Sequence, residues 1–267
     1  MTARRLVASS LLALAVAACS LAGGASPGGD AVDLEVYAAA SLKQAMARVE
    51  TAFEASNPGS TLTVSTDSSA ALESKIEQGA PADVFLSADT TNPQKLVDGG
   101  FATGAVTPFA GTVLTIIVPS DNPAGIQRPA DLANDGIKIV AAGDAVPITR
   151  YATQLVDNLA GEPGYPADFA AGYAANVVSQ EDNVSGIVTK VELGEGDAGI
   201  VYVTDAAGSD AVATIDVPDE ANVPATYGGV VVKSSPDQEA AARFLAWLAG
   251  RGGQAVLAEL GFQPPSP

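Results

Sequence analysis

Leu34-Glu35-Val36-Tyr37-Ala38-Ala39-Ala40-Ser41-Leu42 decides how this 267-residue chain is read. The run through Val36 reads as a strand. From Leu42 onward, Ala45, Met46, Val49 and Phe53 recur at helical spacing. Ser41 stands at the junction with Gln44 three residues on, which predicts an N-cap with a capping box. Such a junction is also a ready anion site, because first-turn N–H groups lack partners and the helix dipole favours negative charge. A serine that only caps its helix is the commoner case. Recurrence of the arrangement along the chain favours the second reading.

Three more strand-to-helix junctions follow. Asp67-Ser68-Ser69 succeeds a β-branched strand at 61–65 and opens a helix through Leu72, Lys75 and Ile76. Gly143 to Ile148 follows a strand at 137–141, with Pro147 placed as the first residue of a helix to Leu159. Gln180 to Val184 follows a strand at 175–178 and opens a helix at 184–193. Val84-Phe85-Leu86 reads as a short buried strand. Further strands are expected at 112–118, 198–203, 211–216 and 227–233, and helices at 94–98, 238–249 and 253–260.

Repeated βα units predict an α/β fold with mainly parallel sheets. The late helices return to the first sheet. Residues 33–113 with 230–267 then form lobe 1, and 114–229 form lobe 2. The long β runs at 112–118 and 227–233 make the crossings. Open α/β sheets bind ligands beyond the C-terminal strand ends, so four helix N-termini converge on one crevice.

Composition narrows the function. Lys+Arg number 13 against 31 Asp+Glu, a formal charge of −18 that argues against nucleic acid and against adsorption to anionic lipid. There is no histidine, which removes the commonest general base and transition-metal ligand. The single cysteine, Cys19, excludes an intrachain disulfide. It follows a basic start with Arg4 and Arg5, then an apolar stretch from Leu6 to Ala18 too short to span a membrane. Val16-Ala17-Ala18-Cys19 resembles a bacterial lipobox. That resemblance implies a signal peptide at 1–18, acylation of Cys19 and a Gly/Ser/Pro/Ala-rich tether at 19–32. The expected product is an extracytoplasmic monomer, lipid-anchored to the cell membrane.

Several stretches together resemble one family. They are Val36 to Leu42 with its Ala-Ala-Ala-Ser core, and Gln78-Gly79-Ala80-Pro81-Ala82-Asp83-Val84-Phe85-Leu86-Ser87-Ala88-Asp89. Glu181-Asp182 with Val184, Gly199-Ile200-Val201-Tyr202 and Leu260-Gly261-Phe262 complete the set. Over roughly residues 33–263 the chain is similar to the periplasmic molybdate-binding proteins of bacterial ABC importers. The resemblance implies a two-lobed, type II periplasmic-binding fold with the ligand in the interlobe cleft. It implies a binding protein rather than an enzyme, without a cofactor, in which molybdenum enters only as molybdate, or tungsten as tungstate. The implied partner is a permease with a cytoplasmic ATPase.

Carried over residue by residue, Ser41 and Ser69 each offer a hydroxyl and a backbone N–H. Ile148 and Val184 offer backbone N–H groups, and Tyr202 offers its phenol. That set has seven donors and no acceptor. At about 1.5–3 kcal/mol per charge-assisted bond the gross gain is on the order of 10–20 kcal/mol. Desolvation of a dianion removes much of it, and a net near −12 kcal/mol corresponds to nanomolar binding. Molybdate, tungstate and sulfate carry no proton near neutral pH. The proton of hydrogen phosphate would find no acceptor.

Asp67 must turn away from a bound dianion, and Arg150 brings positive charge that the family pattern does not need. Asp83 and Asp89 flank a buried strand and are expected to hold turns rather than a metal. A receptor for sulfate or another tetrahedral oxyanion is the nearest alternative. A secreted serine hydrolase lacks its activating histidine, and a surface scaffold lipoprotein would need no closed crevice.

Overall fold

A computed structural model describes residues 32–266. The predicted signal peptide, Cys19 and all but the end of the tether lie outside the described residues. The chain begins with β1 (Val32–Ala39), a 3-10 turn (Ala40–Leu42), α1 (Lys43–Ser56), β2 (Ser60–Asp67) and α2 (Ser69–Glu77). Next come β3 (Val84–Ser87), α3 (Thr91–Asp98), β4 (Ala102–Thr112) and β5 (Leu114–Pro119). After a 3-10 turn (Pro129–Ala133) follow β6 (Ile139–Ala142), α4 (Pro147–Ala160), α5 (Phe169–Ala175) and β7 (Val177–Glu181). The remainder is α6 (Val184–Glu192), β8 (Ala198–Tyr202), α7 (Val203–Ala206), β9 (Val212–Ile215), β10 (Ala225–Val232), α8 (Gln238–Ala249) and α9 (Arg251–Glu259).

The strands form two five-stranded sheets, ordered β2-β1-β3-β10-β4 and β7-β6-β8-β5-β9. In each, four strands run one way and one runs against them: β10 in the first sheet, β5 in the second. The architecture is therefore the expected α/β, periplasmic-binding-protein-like one. β3 and β5 are buried along their whole length because neighbours pair on both sides and helices cover both faces. β1 shows only alternate burial, Leu34, Val36 and Ala38 facing in. The late helices do return to the first sheet: Phe53 of α1 meets Phe244 and Trp247 of α8 edge-on, centroids 4.9 and 5.3 Å apart.

The chain leaves the first sheet at Thr112 and enters the second at Leu114. It returns between Ile215 and Ala225, and β10 pairs in the first sheet from Ala225, five residues before the lobe boundary expected at 230. One side chain ties the two crossings together. Asn222 Oδ1 accepts the Leu114 N–H at 3.0 Å, and Asn222 Nδ2 donates to the Leu114 carbonyl at 2.9 Å.

Three elements lie where the sequence pattern predicted none, among them the single-turn α7 directly after β8. β4 carries Gly104, Pro108 and Gly111 and has irregular register against β10; it is an edge strand, where proline and bulges are tolerated. α5 is short and is anchored by the fully buried Phe169.

Candidate functional site

All four strand-to-helix junctions meet in one small cavity between the sheets, about 210 Å³ including its mouth. Ala39, Ala40 and Ser41 line it from the end of β1, Ser68 and Ser69 from the start of α2, and Ala88 from beyond β3. From the second sheet come Val146, Pro147 and Ile148 at α4, Asn183 and Val184 at α6, and Tyr202 at the end of β8. Ser41, Ser69, Ile148, Val184 and Tyr202, far apart in sequence, thus share one wall-to-wall space. A larger opening on the other side of Ile148 is lined by Asp144 and Asp157, by Thr149, Thr153 and Gln180, and otherwise mainly by apolar side chains. Two acids make it a poor place for an anion.

Local chemistry fixes what each group can offer. Ser68, not Ser69, caps α2: its Oγ accepts the Ala71 N–H at 3.2 Å. Ser69 is the first helical residue, and its Oγ accepts the Ala88 N–H at 3.0 Å. Ser41 does not cap a helix as the sequence predicts. A 3-10 turn stands between it and α1, Leu42 takes the cap position, and Gln44 Nε2 donates to the Gly208 carbonyl at 2.9 Å instead of closing a capping box. Tertiary contacts displace the local motif, since the Tyr227 phenol donates to Ser41 Oγ at 3.0 Å. Both serine oxygens therefore already accept a bond, which leaves each hydroxyl proton free to donate.

Asn183 caps α6 by accepting the Gly186 N–H at 3.1 Å, so the Val184 N–H stays open at the first helical position. Pro147 opens α4 as the sequence predicts, and Ile148 presents its N–H in the same first turn. Tyr202 is 1 % exposed, and its hydroxyl makes no hydrogen bond among the described residues. A buried polar group without a partner is rare and calls for a reason. Burial, then the nearby Tyr227, pushes its phenol well above the ordinary tyrosine range, so the proton stays on.

The acids around the junctions are held away or neutralised. Asp67 pairs with Lys75 at 2.9 Å and accepts the Ser68 N–H. For Glu181, burial opposes the charge, but bonds from Lys190 and Ser179 outweigh it and hold the carboxyl below its usual range. Arg150 does not line the cavity. It donates to Thr91 Oγ1 at 2.7 Å and lies 3.6 Å from Asp89, reaching from α4 to α3. Asp89 also accepts from the Asn92 N–H and Ser87 and so holds the turn into α3, as expected; Asp83 instead accepts from the Glu35 N–H and from Ser235 and ties together segments far apart in sequence.

Three groups escaped the sequence reading. Tyr227 looked like part of an apolar run; its polar tip before Gly228-Gly229 was the available signal. Thr204 Oγ1 and Asp205 Oδ2 are buried without hydrogen-bond partners among the described residues, beside Ser41 in a neighbouring opening. Burial raises Asp205 from 3.8 to about 7, with the Tyr202 backbone N–H pulling the other way.

The arrangement is a donor-rich pocket: hydroxyl protons and helix-start N–H groups, with no formal charge in its lining. Residues 34–263 match the family model for the bacterial extracellular solute-binding protein. The molybdate-binding protein ModA of Mycobacterium tuberculosis strain H37Rv is 33 % identical over 97 % of both chains. Among solved structures, the periplasmic molybdate-binding protein of Azotobacter vinelandii superimposes with TM-score 0.72 at 24 % identity, covering 87 % of this chain and 100 % of that one. The sulfate-binding protein SubI of M. tuberculosis H37Rv gives TM-score 0.77 at 21 % identity, covering 88 % of each. With the family model spanning most of the chain and the ModA relative matching almost its full length, this chain belongs to the bacterial extracellular solute-binding proteins, as a relative of ModA.

Proposed function

We propose that the chain captures molybdate, and tungstate with it, as a bare dianion in the cavity between the two sheets, and hands it to an ABC permease driven by a cytoplasmic ATPase. The observation that carries this reading is the unpartnered Tyr202 phenol, facing two serines whose oxygens are already occupied. Each of the three hydroxyls there has a proton to give, and both serine oxygens already accept one bond. Ser41, Ser69 and Tyr202 bind through hydroxyls; Ser41, Ser69, Ile148 and Val184 bind through helix-start N–H groups. The full-length relationship to ModA supports molybdate as the cargo.

Binding draws together lobe 1, residues 33–113 with the segment that returns from Ala225, and lobe 2, residues 114–224, by hinge rotation. The protein is a monomer without catalytic activity or cofactor, held outside the cell membrane by a lipid on Cys19. Sulfate is the second reading, favoured by the likeness in fold to SubI and by its equal lack of a proton.

Calorimetric titration of the purified chain with molybdate, tungstate, sulfate and phosphate tests both. One-to-one binding of molybdate and tungstate, with sulfate weaker by orders of magnitude, is the expected result. Sulfate binding alone would move the substrate, and no heat with any oxyanion would overturn the reading.

A further inference from the structure

Asp205 follows Tyr202 by three residues, in the short α7 that leaves β8 at the edge of the cavity. Its Oδ2 is buried and has no hydrogen-bond partner among the described residues, and neither has Oγ1 of the buried Thr204 beside it. Both residues line a second opening, about 630 Å³ including its mouth. Ala40 and Ser41 line this opening and the oxyanion cavity alike, so the 3-10 turn they belong to divides the two spaces.

Few charged or titratable groups surround Asp205. Lys43 at the start of α1 and Glu192 at the end of α6 line the same opening. Lys190 of α6 turns away to Glu181 at 2.8 Å. β5 and β9 also pack on α7 and carry no titratable side chain. β8 and β10 supply the phenols of Tyr202 and Tyr227. Burial raises both well above the tyrosine range, with the Asp205 carboxyl adding to the effect, so both keep their protons near neutral pH. Asp205 itself is lifted by burial to about 7, and the opening gives solvent a route to it.

A dianion held by Ser41 and Tyr202 lies on the far side of that dividing turn. The Asp205 charge already acts on the Tyr202 phenol, which faces the ion, and on the Tyr227 phenol, which bonds Ser41. Like charges on the two sides oppose each other, and the neutral carboxyl relieves the conflict.

Resting on the oxyanion reading above, we propose that Asp205 links capture to a proton: as the dianion enters, the carboxylate takes one proton from solvent and becomes a carboxylic acid, and on release it returns that proton. Asp205 does not line the oxyanion cavity and acts through its charge alone. Affinity is full while the empty protein keeps the carboxyl protonated, and it falls as pH rises past about 7.

Calorimetric titration with molybdate, in pairs of buffers that differ in ionisation enthalpy, counts the protons. Molybdate carries none near neutral pH, so any uptake belongs to the protein. About half a proton per ion should be taken up near pH 7, and affinity should fall about tenfold between pH 6 and pH 8. Asp205→Asn should bind with no uptake and with a flat affinity near the parent's value at the lower pH. Glu192→Gln should behave as the parent. Uptake that persists in D205N or vanishes in E192Q overturns the inference. An Asp205 that serves only the fold would leave the parent without uptake and D205N weaker at every pH, which overturns it as well. If D205N does not fold, the parent and E192Q decide. A parent chain that binds no oxyanion overturns the proposed function and this inference together; one that binds without proton uptake overturns the inference alone.

Discussion

Ser69 Oγ accepts the main-chain N–H of Ala88 at 3.0 Å, so a residue just beyond β3 orients the hydroxyl that opens α2. The Ser69 proton is thereby aimed before any ligand arrives. Ser69→Ala removes that donor and strands the buried Ala88 N–H. Oxyanion affinity should fall about 10- to 100-fold, the value of a hydrogen bond to a charged group, with a small loss of stability besides. Titration calorimetry and thermal melts of S69A read the two effects separately. An affinity within twofold of the parent would remove Ser69 from the site.

Tyr202→Phe should separate binding from stability in the opposite sense. The parent buries a phenol with no partner, and phenylalanine fills the same space without that unsatisfied group. The unliganded variant should melt at or above the parent's temperature, by up to about 1 kcal/mol of stability. Its affinity for molybdate should nevertheless drop about tenfold or more. A variant that is both less stable and equally tight would show that the phenol serves the fold.

Asp205 should make stability depend on pH. Its carboxyl shifts from 3.8 to about 7 on folding, and its Oδ2 has no partner although the residue as a whole is half-buried. Between those values the folded chain keeps a proton that the unfolded chain releases. Stability from this group is therefore complete below about pH 4, declines as pH rises, and is lost above about pH 7. Asp205→Asn abolishes the decline and should be more stable than the parent above neutral pH by on the order of 2–4 kcal/mol. Denaturant melts at pH 4 and pH 8 decide it: parallel changes in parent and variant would contradict the assignment.

Arg150→Ala should act on the rate of release. Arg150 links α4 to Thr91 and Asp89 across the two sheets, yet its side chain is 51 % exposed, which limits the worth of the ion pair. A two- to fivefold faster dissociation of molybdate, with little change in association, is expected from stopped-flow measurements. The difference should shrink as salt is raised. A large loss of affinity would mean that Arg150 faces the ligand after all.

Local patterns in the chain carried most of the fold, because strands ending in small residues and helices starting on Ser, Asn or Pro leave marks within a few residues. Pro147 and the late helices are of this kind. β4 left no such mark, since its glycines and Pro108 argue against a strand and are tolerated only because it lies at an edge. The five cavity residues were legible only through the repeated junctions and the family resemblance. Ser41 shows where local reading ends: its surroundings spell a cap, but a tyrosine 186 residues away takes its oxygen. Contacts of that span are set by topology, and no window of sequence contains both partners.

Asn222 holds both ends of Leu114 as a neighbouring strand would, and so rivets the outgoing crossing to the returning one. Two separate connectors could slide past each other; joined in this way they resist shear and leave rotation as the soft motion. The helix starts that line the cavity belong to opposite sides of that pivot. In the function proposed above, this pin is where capture of an ion would become a rotation that a membrane partner can sense.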